Sequence, residues 1–319
     1  MLHNVSRRIV VSGSLAYDQI MDFPGKFQDH ILPGQIHNLN VSFLIGALRR
    51  SFGGTAGNIA YNLGLLGLKP LIFGVAGADF LVYEKWLKKN GADLSRVAKV
   101  TEANTAAAYI ITDEKDNQIT AFYPGPNLKN YARQALSSVA RIDLAIIAAD
   151  DTKRMLAYAD FYRQKKIPFI FDPGQQLTAL TDLELHRAIK GAKVLIGNDY
   201  EIKLISTRLK VTIQVLAKMV EILVITKGSE GSEIYQDDKK IIVPPAKPKN
   251  TSDPTGAGDA YRAGLIFGLL SGYNLKTCGQ LAGLVAVYTV EAFGTQTHQF
   301  LIAELKKRYY ENYQEKLMI

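Results

Sequence analysis

The sequence predicts an α/β fold: a mainly parallel central sheet flanked by helices on both faces, plus a small β-sheet lid. Three observations predict it. Six short runs are apolar throughout, as expected of strands covered on both faces. Helical patterns lie between them, the order that builds a parallel sheet through crossover connections. Two segments break this alternation and read as insertions.

The runs are "RIVVSG" (8–13), "PLIFGVAG" (70–77), "LAIIAA" (144–149), "PFIFDPG" (168–174), "KVLIGN" (193–198) and "ILVITKG" (222–228). Helical stretches are expected over 54–66, 79–89, 152–165, 181–190 and 199–206, and two long ones within 258–292. The first insertion, 15–50, lacks a clear helix. The second, 105–124, reads as a hairpin: "TAAAYIIT", a polar turn "DEKDNQ", then "ITAFYPG". The expected division is a large domain of residues 1–14, 48–104 and 125–319, with a lid of residues 15–47 and 105–124. Ligands of such sheets sit at the carboxyl ends of the strands. Here those ends carry Gly13-Ser14, Asp172-Pro173-Gly174, Asn198-Asp199 and Lys227-Gly228.

Composition narrows the function. With 319 residues, 47% apolar and 21% charged, a packed core is expected and global disorder is excluded. The net charge of +8 is scattered, and "KKRYY" (306–310) is the densest basic group near an end. That distribution favours solubility and an anionic small ligand over nucleic acid. One cysteine, Cys278, lies in an apolar helical pattern and reads as a core residue. The five histidines are far apart in sequence, so no Cys/His zinc cluster is expected. The N-terminal stretch lacks a signal-peptide apolar region, and no apolar run reaches about 18 residues. A soluble cytoplasmic protein, with no membrane partner, is the expectation.

Two glycine-rich loops open helices. In "NTSDPTGAGDAYRAG" (250–264) the amides of Gly256, Ala257 and Gly258 would project from a first helical turn, where amides and the helix dipole stabilise anions. Asp259 follows them. A carboxylate there is expected to have a low pKa and to be ionised at neutral pH. Taken alone, the loop is equally ordinary helix-start chemistry. "SFGGTAGNIAYNLGLLG" (51–67) is the second loop; its Gly53 and Gly54 permit close approach, and Asn58 would project from the first turns.

"GGTAGNIAYNLGLLG" and "DPTGAGDAYRAG" resemble the two signatures of the ribokinase-like (PfkB) family of sugar and nucleoside kinases. "NDYE" (198–201) resembles its N-x-x-E element and "TKGSEG" (226–231) its T-x-G loop, so the likeness runs over nearly the whole chain. "GSLAYD", "FPGKF", "NVSFL", "AFYPG", "DPGQQL" and "GTQ" look most like bacterial adenosine kinases.

The resemblance implies ATP and Mg2+ as cofactors and a large α/β domain with a β lid. It makes Asp259 the base that accepts the proton of a ribose 5′-hydroxyl, and the amides at 256–258 the anion hole. Phosphoryl transfer asks mainly for positioning and charge stabilisation, which suits such a base. Ser14, Asp18, Gly54 and Asn58 would face the ribose, and Ser42 would lie on the lid. Gln175 and Gln176 would meet the base, where an amide can match a purine edge, although a solvated loop is the other reading. Phe122 would stack on adenine; the alternative is a core residue of the hairpin. Asn198 and Glu201 would orient water on magnesium, with Asn198 also a candidate helix cap. Thr226, Gly228 and Thr255 would approach the triphosphate. Asp253, with the backbone near Thr255, would contribute to a K+ site. A homodimer through the exposed edges of the lid is the candidate assembly.

The small Ala106–Ala108 stretch stands where an adenosine kinase of this type has a bulky aromatic, which leaves room for another purine nucleoside. Competing readings are a ribokinase-type sugar kinase and a catalytically silent binding regulator. A dinucleotide oxidoreductase is disfavoured because "VVSGSLAYD" lacks the glycine fingerprint.

Overall fold

The apolar runs become strands of one sheet in the computed structural model, which describes residues 7–31, 40–115, 117–128, 130–137, 139 and 141–318. In chain order the first elements are β1 (Ile9–Ser12), β2 (Ala16–Asp22), β3 (Ala47–Gly53), α1 (Thr55–Leu65), β4 (Leu71–Gly77) and α2 (Leu81–Lys89). Next come β5 (Val97–Val100), β6 (Ala106–Thr112), β7 (Gln118–Tyr123), α3 (Tyr131–Leu136), β8 (Leu144–Ile147), α4 (Thr152–Gln164) and β9 (Phe169–Phe171). Then α5 (Asp182–Ile189), β10 (Val194–Asn198), α6 (Asp199–Arg208), α7 (Ile213–Lys218) and β11 (Ile222–Thr226) follow. The chain continues with β12 (Ser232–Gln236), β13 (Lys239–Val243), α8 (Ala257–Leu270), α9 (Leu275–Val290) and α10 (Ile302–Tyr313).

Among the described residues, nine strands form the large sheet in the order β13-β12-β11-β10-β9-β8-β1-β4-β5. The strands from β11 to β5 pair in parallel. Successive residues of β1 face opposite cores, as a two-sided sheet requires. Ile9 and Val11 pack with residues of α1, α2, α8 and α9; Val10 packs with α3 to α7. The β12–β13 hairpin, which the sequence reading did not expect, extends the sheet antiparallel. Its turn places Asp237 and Asp238 at φ 49° and 61°, a two-residue turn that matches strand twist.

The two insertions meet in a second sheet, β3-β2-β6-β7. Strand β2 pairs in parallel with β6, from Ala16 opposite Ala106 to Asp22 opposite Thr112. Strand β3 runs on to Gly53, past the expected boundary at residue 47. Cys278 is buried in α9, and burial pushes its thiol up to about 12. Among the described residues no helix is long and apolar enough to cross a membrane.

Candidate active site

Strand order reverses between β1 and β8, whose carboxyl ends open the crevice where ligands of such sheets sit. The turn after β1 is tied across this crevice: the Ser14 amide donates to the Ala149 carbonyl at 3.2 Å. The Ser14 hydroxyl accepts from the Thr55 amide at 3.0 Å, so it caps the start of α1.

The glycines before α1 are forced by close approach. Gly54 has φ 85°, and a Cβ there would lie 2.5 Å from the Ser14 carbonyl oxygen. A Cβ at Gly53 would lie 2.4 Å from Oδ2 of Asp18. The crowding places Asp18 against the glycine loop. Burial, and then the neighbouring Asp253, push the Asp18 carboxyl up to about 6.

Helix α8 starts at Gly256, which holds φ 78° where a side chain would crowd Thr295. Gly258 lies in the first turn, where amides lack helical acceptors. The Ala257 amide, expected to face an anion, donates instead to the Pro254 carbonyl at 3.2 Å and closes the turn. Asp259 sits in the same turn and accepts from Asn58 Nδ2 at 2.8 Å. One turn on, Arg262 is buried and grips Asp172 with two bonds of 2.8 Å, and its third nitrogen donates to the Gly258 carbonyl at 3.1 Å.

Asp259 departs from the low pKa expected of a helix N-terminus. Burial pushes it up to about 7, outweighing the Asn58 hydrogen bond and the Arg262 charge, while Asp172 and Asp18 also raise it. The helix end stabilises a carboxylate that water can also reach; here removal from water wins. A carboxylate poised near neutral pH would be a stronger proton acceptor than the one expected.

Four of the expected substrate residues meet. Ser14, Phe122, Gln175 and Gln176 line one cleft of about 500 Å³. Phe122 is 54% exposed, which excludes the core reading. Asn127, Asp150 and Arg154 share the cleft and were not singled out from the sequence, because no local pattern marks them. Asp150 holds Arg154 through two hydrogen bonds of 2.9 and 2.5 Å. Ser42 is exposed in the segment before β3, and no described contact joins it to this cleft.

On the other side, Asn198 and Glu201 cap each other at the start of α6: Glu201 N donates to Asn198 Oδ1 at 2.7 Å, and Asn198 N to Glu201 Oε2 at 2.8 Å. The cap reading of Asn198 therefore holds, and burial raises the Glu201 pKa. Thr226 ends β11, and Gly228 follows at φ 55° with open space where a Cβ would be. Lys227 between them pairs with Glu233 at 2.5 Å. Asp253 accepts from the Thr255 amide at 2.9 Å and the Gly294 amide at 3.0 Å, which shapes the loop. Among the described residues no group of three or more His, Cys, Asp or Glu is placed to hold a metal ion.

A model of the pfkB family of carbohydrate kinases matches residues 9–300. The nucleoside kinase of Methanothermobacter thermautotrophicus is 37% identical over 276 residues, which span 85% of this chain and 88% of that protein. The structure of the Burkholderia thailandensis nucleoside kinase in complex with inosine is similar at TM-score 0.85 and 35% identity, covering 97% of this chain and 99% of that one. The Methanocaldococcus jannaschii nucleoside kinase gives TM-score 0.85 at 31% identity, covering 96% and 98%. From its glycine loops to its two sheets, this chain belongs to the pfkB family of carbohydrate kinases and has the ribokinase-like fold.

Proposed function

We propose that the protein transfers the γ-phosphoryl group of ATP to the 5′-hydroxyl of a purine nucleoside, adenosine being the substrate read from the sequence. The products are the nucleoside 5′-monophosphate and ADP. The observation that carries this reading is the convergence of Phe122, Gln175 and Gln176 on the cleft that Ser14 also lines. An exposed aromatic face and two amides suit a base, and a bare pentose would leave them without a partner.

In this reading Asp18 and Ser14 orient the ribose. Asp259 accepts the 5′-hydroxyl proton as the O5′–P bond forms and the bond from phosphorus to the ADP oxygen breaks. The amides of Gly256 and Gly258 face the transferring group, whose charge they stabilise. Asn198 and Glu201 would hold magnesium through water; the ion would neutralise phosphate charge. Thr226, Gly228 and Thr255 would border the triphosphate. The second sheet would cover the cleft as the lid, with its exposed β7 edge available to a second copy.

The test is ATP-dependent phosphate transfer across adenosine, inosine, guanosine, cytidine, ribose and fructose. Transfer to purine nucleosides well above the sugars is expected. Transfer to ribose or fructose with none to nucleosides would overturn the reading in favour of a sugar kinase. Exchanging K+ for Na+ in the same assay tests the cation role read for Asp253.

A further inference from the structure

The carboxylate of Asp259 stands at the end of a chain of amides whose direction is set at the far end. We propose that Gln296 and Trp86 are positioning residues for the base: they decide which face Asn58 turns toward Asp259. The proposal rests on the reading of Asp259 as the base.

The oxygen and nitrogen ends of an Asn or Gln amide are alike in shape, so neighbours decide their orientation. The indole N–H of Trp86 is a donor only, and it meets Gln296 Oε1 at 3.1 Å. The Tyr83 hydroxyl donates to the Gly53 carbonyl at 2.8 Å, so toward Gln296 it accepts, receiving Nε2 at 2.6 Å. Both neighbours impose the same orientation on Gln296. Its Nε2 then donates to Asn58 Oδ1 at 2.9 Å, which leaves Asn58 Nδ2 for Asp259 at 2.8 Å. Gln296 and Asn58 are 3% and 4% exposed, so bulk water does not compete for these bonds.

Packing preserves the arrangement. Phe52 stacks on Tyr83 and on Trp86, with ring centroids 4.6 and 5.7 Å apart. Gly57 makes room, since a Cβ there would lie 1.8 Å from the Tyr83 hydroxyl. The charged and titratable groups that act on Asp259 are Arg262 from its own helix, Asp172 after β9, Asp18 on β2 and Tyr83 on α2. Arg262 is committed to Asp172. The Asn58 amide is therefore the donor placed directly on the base. Turned over, it would present a carbonyl to a carboxylate and disfavour the ionised form.

Gln296→Glu reverses the polarity at nearly constant size. Residue 296 then accepts from Trp86 and from Asn58, whose carbonyl turns to Asp259, and the Tyr83 hydroxyl must release the Gly53 carbonyl to donate to it. The titration of the Asp259 carboxyl, followed by carbon-13 NMR, is expected to move up by about one pH unit or more. In the same variant kcat is expected to fall about tenfold at pH 7 and to recover as pH rises, with the KM for ATP unchanged. Trp86→Phe, which keeps a ring and removes the donor, should move the titration the same way by less. An unmoved titration with a pH-independent loss of rate would overturn the proposal. If Gln296→Glu does not fold, Trp86→Phe decides alone: an unmoved titration refutes the relay. The titration needs no substrate, so a wild-type protein inactive on every nucleoside refutes the proposed function and leaves this test standing.

Discussion

Asn58 and Asp259 lie 201 positions apart in the chain, and the amide of one donates to the carboxylate of the other at 2.8 Å. That bond joins the first turns of α1 and α8, the two helices opened by glycine loops. In the proposed mechanism, the residue that would touch ribose is thus the one that holds the base.

Replacing Asp259 by Asn removes the proton acceptor and keeps the bond from Asn58. The expected loss in kcat is on the order of 10²-fold or more. ATP binding, measured by calorimetry, should stay near wild type. A near-wild-type rate would refute the base assignment.

The pH dependence follows from the raised Asp259 carboxyl, which titrates at about 7. In the proposed mechanism the ionised form is the base, so kcat/KM should rise with pH through a midpoint near 7 and level above it. Stability runs the other way. A carboxyl whose folded pKa lies above its unfolded value adds no penalty below the unfolded pKa, and its full penalty above the folded one. Asp259→Asn should therefore raise the melting temperature at pH 8, with the gain fading toward pH 4. Thermal scans at both pH values check the sign.

Phe122→Ala should raise the KM for purine nucleosides by about tenfold, since stacking of a base on an aromatic ring contributes roughly 1–3 kcal/mol. The KM for ATP should hold. Because Phe122 is exposed, the melting temperature should change little. Equal weakening for ribose and for nucleosides would refute base stacking at this position.

Arg262→Met breaks the buried ion pair and leaves Asp172 uncompensated. The two side chains are 8% and 5% exposed, so little water can take over. A loss of about 3–5 kcal/mol is expected in urea unfolding. The Asp259 titration should also move up, because the cation that lowers it is gone.

Some of this was legible along the chain. The core strands announce themselves because both faces are covered, so each run is apolar throughout. The β12–β13 hairpin escaped because "SEIYQDDKKIIV" mixes charge into an edge pairing, where one face and one side meet water. Strands β2 and β3 were hidden for a similar reason: "AYDQIMD" and "ALRRSFG" are half-buried or exposed along much of their length. The glycine loops and Asp259 were readable from local patterns. Gln175, Gln176 and Phe122 came from resemblance, and each allowed a second reading that position in space alone resolves for Phe122.

What the sequence by itself determined is the α/β layering, the two glycine-opened helices and the carboxylate after the second loop, since each follows from short-range pattern and backbone freedom. Tertiary structure decided the rest. It raised the Asp259 pKa, because desolvation depends on what surrounds a group and not on its place in a helix. It turned the Ala257 amide to Pro254. It also brought Trp86, Gln296 and Asn58 into one hydrogen-bonded line behind Asp259, and the direction of that line comes from donor and acceptor ends that meet only when distant segments pack.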